Sequence, residues 1–472
     1  MDKVWQYSVP HPYLYAPYVK MYTALRKSNE NWRVFPNTVN LGYYSFFTQS
    51  VHLSSVEKND IEELIKLFIS KQEEITYEQY QLFRKTLSVL HHEYSHWVDN
   101  ISTIWGTDLL IKVFEAFKLK ADDQKGIDRS SEYFKIKELR DLTKRITYSD
   151  YYTTQYDVDN QYPWIVSYSM GKLFSKSGNV SEYPIFFSRF TTRIDKKLIC
   201  RVPFSLSSIL ESSAMSQEFY IDNSALFLLP EDTKHVEIAQ YKKEILSTIY
   251  NQKLCVYNVA AHHIANCTRT SDIAAAYRIC GILGRLVLNF PSSLFNKINI
   301  SNNHIDKITK GEHNKKWLEG YKVAFDYNDR GVLFFLIGSL LPKIENPAIL
   351  TDKKIITMIM DVLSEINIKY EDLEGEALSE FDQNCIKLKK IDNPMAQYIA
   401  NAGKTVFEQL NMFGEYPYEF HKYSPIPAIL GDGSIFQPYG KPEKLNFDLF
   451  DYIYNAMDLE PHIREFEEAC IF

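Results

Sequence analysis

Residues 90–99 read Leu90-His91-His92-Glu93-Tyr94-Ser95-His96-Trp97-Val98-Asp99, and the reading of this stretch decides the rest. Histidines four apart on a helix stack one turn above the other, so the imidazoles of His92 and His96 can reach a single metal ion. The spacing has meaning only on a helix. Thr76-Tyr77-Glu78-Gln79 reads as a capping box, with Ile75 and Tyr80 placed for a hydrophobic staple. Tyr80, Phe83, Leu87, Leu90, Tyr94 and Trp97 then recur at alternating three and four spacing as one apolar stripe. A turn of about 100° per residue puts His92 and His96 opposite that stripe. One face is expected to pack while the other presents ligands to a cleft. The plainer reading is an exposed polar helix face with incidental histidines.

His92-Glu93-Tyr94-Ser95-His96 is an H-E-x-x-H arrangement and resembles the active-site helix of the zincin metallopeptidases. The resemblance covers the motif helix and one further segment. It implies an α+β, helix-dominated fold with a zincin-like core, a small sheet beside the active-site helix. It also implies Zn2+ as the cofactor and Glu93 as the catalytic general base that takes a proton from water. In the glutamate-ligand branch, the gluzincins, a second helix supplies a Glu often followed by small residues. Ser208-Ile209-Leu210-Glu211-Ser212-Ser213-Ala214 has that form, which makes Glu211 the preferred third ligand.

Other readings of the third ligand stay open. Ser208-x-x-Glu211 could itself be a capping box. Glu218, seven residues on, is a fallback ligand or a partner to one. Glu115 stands 19 residues after His96, a short spacing known in thermolysin-like enzymes, but its context lacks their Asn-Glu-x-x-Ser-Asp block. Glu374 and Glu376 lie in an acidic run that reads as solvated surface. Asp99 falls on the ligand side, where it could orient an imidazole or simply end the helix. His91 points away from that side. His262 and His263, in an apolar helical segment, are either core residues or donors to an oxyanion.

With 472 residues the chain is long enough for two or three domains, or for one enzyme body with insertions. Hydrophobic content of 45% predicts a sizeable core, and 33 Tyr and 29 Phe predict bulky packing. A net charge of −7 gives no electrostatic case for nucleic acid. Six scattered cysteines without a C-x-x-C pair suit reduced thiols. The amino terminus lacks the apolar core of a signal peptide, and no apolar run is long enough to span a bilayer. The expected location is therefore cytoplasmic, with no membrane partner.

In chain order, residues 1–36 read as an irregular Tyr/Pro/Trp-rich arm and Val39–Phe47 as a strand, the candidate edge along which an extended substrate would lie by analogy. A helix is expected over Ser55–Ser70, strands near Trp164–Met170, Pro184–Phe190 and Leu198–Phe204, and helices over Val236–Ile249, Leu254–Ala265 and Asp272–Leu288, the last capped by Ser271. The polar stretch Ser301–Lys316 suggests a soft boundary, giving a zincin-like region over 1–300 and a mainly helical region over 301–472. A Pro/Gly/aromatic loop (Gly414–Pro442) and a terminal helix (Asn446–Glu468) close the chain.

The expectation that follows is an intracellular zinc metallopeptidase of narrow specificity, of which a toxin or defence effector is one form. Its partners would be a protein or peptide substrate and, beyond that, a regulatory protein. The alternative is a non-catalytic zincin that acts as a metal-stabilised interaction module.

Overall fold

The computed structural model describes residues 41–457, apart from 71–73, 129, 156–161, 175–177, 310–313, 411, 415–417, 424 and 439–444. The expected arm over 1–36, Val39 of the expected strand and residues 458–468 of the expected terminal helix lie outside the described residues.

A hairpin of β1 (Tyr43–Ser45) and β2 (Ser50–Leu53) leads into α1 (Lys58–Ser70) and α2 (Tyr77–Phe83). A π-helical turn (Arg84–Ser88) joins α2 to α3 (Val89–Ile101), the motif helix. α4 (Ile104–Gln124) and α5 (Phe134–Thr147) follow. Four strands come next: β3 (Thr153–Thr154), β4 (Ile165–Phe174), β5 (Val180–Thr191) and β6 (Leu198–Pro203). A helical stretch then holds α6 (Leu206–Leu226), α7 (Glu231–Ile249), α8 (Cys255–Thr268) and α9 (Ile273–Leu288). It continues with α10 (Asn302–Thr309), α11 (Asn314–Asp326), α12 (Arg330–Leu340), α13 (Asp352–Glu365), α14 (Tyr370–Lys390) and α15 (Pro394–Leu410). β7 (Ala428–Leu430), β8 (Ile435–Phe436) and α16 (Leu449–Met457) end the described chain. The fold is α+β and dominated by helix.

Two small sheets flank the helices. In the first, ordered β1-β2-β7-β8, β2 pairs in parallel with β7 across more than 370 residues of sequence, Val51 opposite Ala428. In the second, ordered β3-β6-β5-β4, every pairing is antiparallel.

The capping box at Thr76 forms: its side chain accepts from the Gln79 N–H, and the Thr76 N–H donates to Gln79 Oε1 at 2.8 Å. The two-faced motif helix does not. All thirteen residues of α3 are buried, so the ligand-bearing side faces other helices rather than open solvent. Elements from both ends of the chain pack round α3, and the π turn before it, which admits an extra residue, shifts the phase of the stripe. Tyr80, Phe83 and Leu87 pack into one apolar cluster, whereas Leu90, Tyr94 and Trp97 pack into another. The stripe is real, but it serves two cores.

α3 ends at Ile101 and the chain turns sharply before α4. Gly106 permits this, because a Cβ there would stand 2.0 Å from the Asn100 carbonyl oxygen. The cap of α9 is Asp272, whose side chain accepts from the Ala275 N–H, in place of the expected Ser271. Packing continues across residue 301: Ile305, Tyr321 and Phe381 share a cluster with Leu286 and Phe290. Carboxy-terminal residues also surround the motif helix, where Ile399, Ile426 and Ile429 pack with Trp97 and Val98.

Candidate metal centre

α6 is the partner that completes the motif helix. Ser205 caps it by accepting from the Ser208 N–H, so Ser208 and Glu211 lie inside the helix and the capping-box reading of Ser208-x-x-Glu211 falls away. Glu211, Glu218 and Asp222, spaced seven and four apart, share one face of α6. Ser88, His92 and His96, spaced four apart, share one face of the motif helix. The two faces meet antiparallel. Asp222 accepts from Ser88 Oγ and pairs with Arg84, whose guanidinium also reaches Glu244 at 3.1 Å. This clamp at the π turn fixes the register that places Glu211 opposite the histidines.

His92 Nε2 lies 3.1 Å from Glu211 Oε2, and His96 Nε2 lies 3.7 Å from the same oxygen. Donors bound tetrahedrally at zinc distances of about 2.0–2.1 Å sit about 3.3 Å apart, and these separations bracket that value. All three donor atoms lie within 4.8 Å of one another. His92, His96 and Glu211 can therefore hold a metal ion. Two imidazoles and one carboxylate form a donor set suited to zinc and related divalent metals.

The surroundings fit such an ion. His92 Nδ1 lies 3.1 Å from Glu218 Oε2, which would receive the proton of a ring bound through Nε2 and so fix its tautomer. Burial works against the His92 imidazolium, but the hydrogen bonds to Glu211 and Glu218 outweigh it and hold its pKa well above the usual range. Burial raises the Glu211 carboxyl, and the bonds to His92 and His96 more than reverse this. Glu93 is pushed up to about 7, by burial first, with the adjacent imidazoles pulling it down and Glu211 and Glu218 pushing it up. Three carboxylates crowd two imidazoles in a dry setting, an excess of negative charge that a cation offsets.

The enclosing walls come from three places. Gly42, just before β1, presses its backbone against Glu93; a Cβ at this glycine would stand only 2.9 Å from Glu93 Cγ. Phe46 sits 6.3 Å from the His96 ring, and the Tyr257 ring of α8 stands 6.2 Å from His92. Beyond His96, Asp99 is fully buried, accepts from Tyr418 Oη at 3.0 Å and lies 3.7 Å from Arg285. It belongs to this buried network and is neither a surface residue nor a plain helix end.

The remaining sequence candidates lie elsewhere. Glu115 pairs with Lys135 at 3.6 Å, both side chains half-buried. Glu374 accepts from Tyr370, and Glu376 pairs with Lys297. His91 is buried edge-on against Phe420. His262 contacts the Ile249 carbonyl and stacks on Trp164, while His263 bridges Tyr168 Oη and the Phe335 carbonyl. His263 is fully buried in the core and His262 half-buried at its margin. Tyr257, five residues before His262 on the same helix, reaches the site instead; its only sequence signal is membership of that apolar helix. The Arg84–Ser88–Asp222 clamp has no signal at all, since a π turn leaves no mark in residue periodicity.

No protein-family model matches the chain, and neither a curated protein nor a solved structure is significantly similar to it. Among the described residues no helix is long and apolar enough to cross a membrane.

Proposed function

We propose that the chain is a zincin-like zinc metallopeptidase, with His92, His96 and Glu211 as the ligands and Glu93 as the general base. The observation that carries this reading is the meeting of Glu211 with both histidines across two helices, with Glu93 on the adjoining turn. A zinc ion there would supply Lewis acidity, polarising a substrate carbonyl and making water easier to deprotonate. Glu93, with a carboxyl near neutrality, is suited to accept a proton from water and return it to a leaving amine. Glu218 holds the His92 ring in place. Tyr257, whose ring stands 6.2 Å from that of His92, is the candidate donor to the developing oxyanion. Among the described residues β1 is the outer strand of its sheet, and Gly42 just before it lies against Glu93, which supports the view that an extended peptide lies along it.

The burial of the site supports selectivity. His92 is 9% exposed, Glu93 6%, and His96 and Glu211 1% each. That enclosure is also the observation favouring the second reading, in which the ion is structural and the chain an interaction module.

Incubating the purified chain and a Glu93→Gln variant with a cell extract, then mapping new protein amino termini, separates the two. A peptidase produces a small set of new termini that vanish with Glu93→Gln while bound zinc is retained. Identical terminus maps for the two proteins would leave only the structural reading.

A further inference from the structure

Among the described residues the second sheet ends in a strand paired on one side only. β4 is ten residues long and, among the described residues, pairs only with β5. Along one side of it runs a groove of about 1110 Å3 whose wall includes Val166, Ser167, Tyr168, Ser169 and Met170. Successive side chains of a strand point to opposite faces of its sheet. Five consecutive residues can therefore border one groove only if it lies along the strand's edge, where every second residue turns its N–H and C=O outward. Apart from pairing with β5, these five residues make no backbone hydrogen bond among the described residues. Natural sheets usually cover or charge such an edge, because it accepts another strand.

The opposite wall says what would fit. Trp317, Leu341, Met358 and Val362 give it an apolar floor. Four cations line it, Arg269, Lys307, Lys316 and Lys343, against two acids, Asp361 and Glu365. Lys307 is paired with Glu365 at 3.4 Å, whereas Arg269, Lys316 and Lys343, all exposed, have no ion pair among the described residues. The groove is thus net positive in a chain whose net charge is −7.

We propose that the β4 edge docks an extended acidic segment of a partner protein as a fifth strand, alternate side chains entering the apolar floor and Asp or Glu side chains meeting Arg269, Lys316 and Lys343. Backbone pairing would supply general affinity for an extended chain, and the cations the preference for acid. The site is separate from the metal centre and stands whether or not the peptidase reading holds.

Selection of random decapeptides on the full chain, followed by binding measurements on the winners, tests this. The expected winners alternate apolar residues with Asp or Glu and slow amide exchange over residues 166–170. They should bind a Lys316→Glu/Lys343→Glu variant at least about tenfold more weakly. Both lysines are exposed, so the variant should keep the wild-type circular dichroism and melting curve. Neutral or basic winners, exchange protection elsewhere, unchanged affinity for the variant, or no enrichment would each overturn the proposal. So would a dimer of the chain that the same variant dissolves, since the occupant would then be a second copy.

Discussion

Glu211 is a carboxylate buried where α6 meets the motif helix, with two imidazoles as its immediate neighbours, and its worth depends on an ion between them. Glu211→Ala and His96→Ala are each expected to reduce bound zinc below about a tenth of the wild-type stoichiometry, because two donors rarely retain a catalytic ion. Glu218→Gln should keep the site but weaken zinc about 10–100-fold, the usual effect of losing a carboxylate behind a ligating histidine. Glu115→Ala should change nothing, since that residue only pairs with Lys135 at the surface. Competition against a chromophoric chelator reads all four. At this scale the proposed centre was legible at His92, Glu93 and His96 because two proposed ligands and the proposed base lie within five residues. Glu211 was legible only through resemblance and its run of small neighbours. α6 makes another close contact further on: a Cβ on Gly281 of α9 would stand 2.8 Å from Ser216 Oγ.

At the scale of elements, the motif helix is held by close backbone approaches at its carboxyl end. A Cβ at Gly403 of α15 would lie 2.1 Å from the Ile101 carbonyl oxygen, much as one at Gly106 would meet Asn100. Gly403→Ala and Gly106→Ala are each expected to destabilise the fold by about 1–3 kcal/mol, the usual range for forced overpacking. Urea titration checks this; an unchanged midpoint for both would mean that α3 is not gripped there. The helices α1, α3 and α7 to α9 and the strands β4 to β6 could be read from periodicity, because alternation and the 3.6-residue repeat survive there. By contrast, α10 and the start of α11 lie in the polar stretch Ser301–Lys316 that reads as a boundary. The π turn could not be read. It moves the stripe of Tyr80 and Leu87 into a different core from that of Leu90 and Trp97, and residue pattern alone carries no sign of the extra residue. Likewise, nothing local announces that β7 pairs with β2, since a parallel partner can lie anywhere along the chain.

For the whole molecule, burial of neutral histidines sets a pH response. His52 is held down to about 3 and His262 and His263 to about 4, in each case chiefly by burial, against an ordinary value of 6.5. Below about pH 6.5 the unfolded chain binds protons that the folded chain refuses, so stability present above that pH falls as acid is added. The folded His262 and His263 begin to bind protons only near pH 4. The share of stability that these three histidines supply should therefore be complete above about pH 7 and decline from about 6.5 towards 4. Glu93, pushed up to about 7, acts in the opposite sense, and the histidine ring resonances of the folded chain read the three separately. A ring resonance of His52, His262 or His263 that titrates in the folded chain near the ordinary 6.5 would contradict the buried neutral assignment. An ion that binds only the folded chain should also raise the melting temperature, and chelation should lower it. X-ray absorption at the zinc edge, on the purified full chain, interrogates the metal centre itself. One zinc per chain is expected, with two imidazole nitrogens and a carboxylate oxygen bound to it, and that signal should be lost in Glu211→Ala. A chain without zinc, or a zinc with no imidazole bound, would contradict the proposed centre.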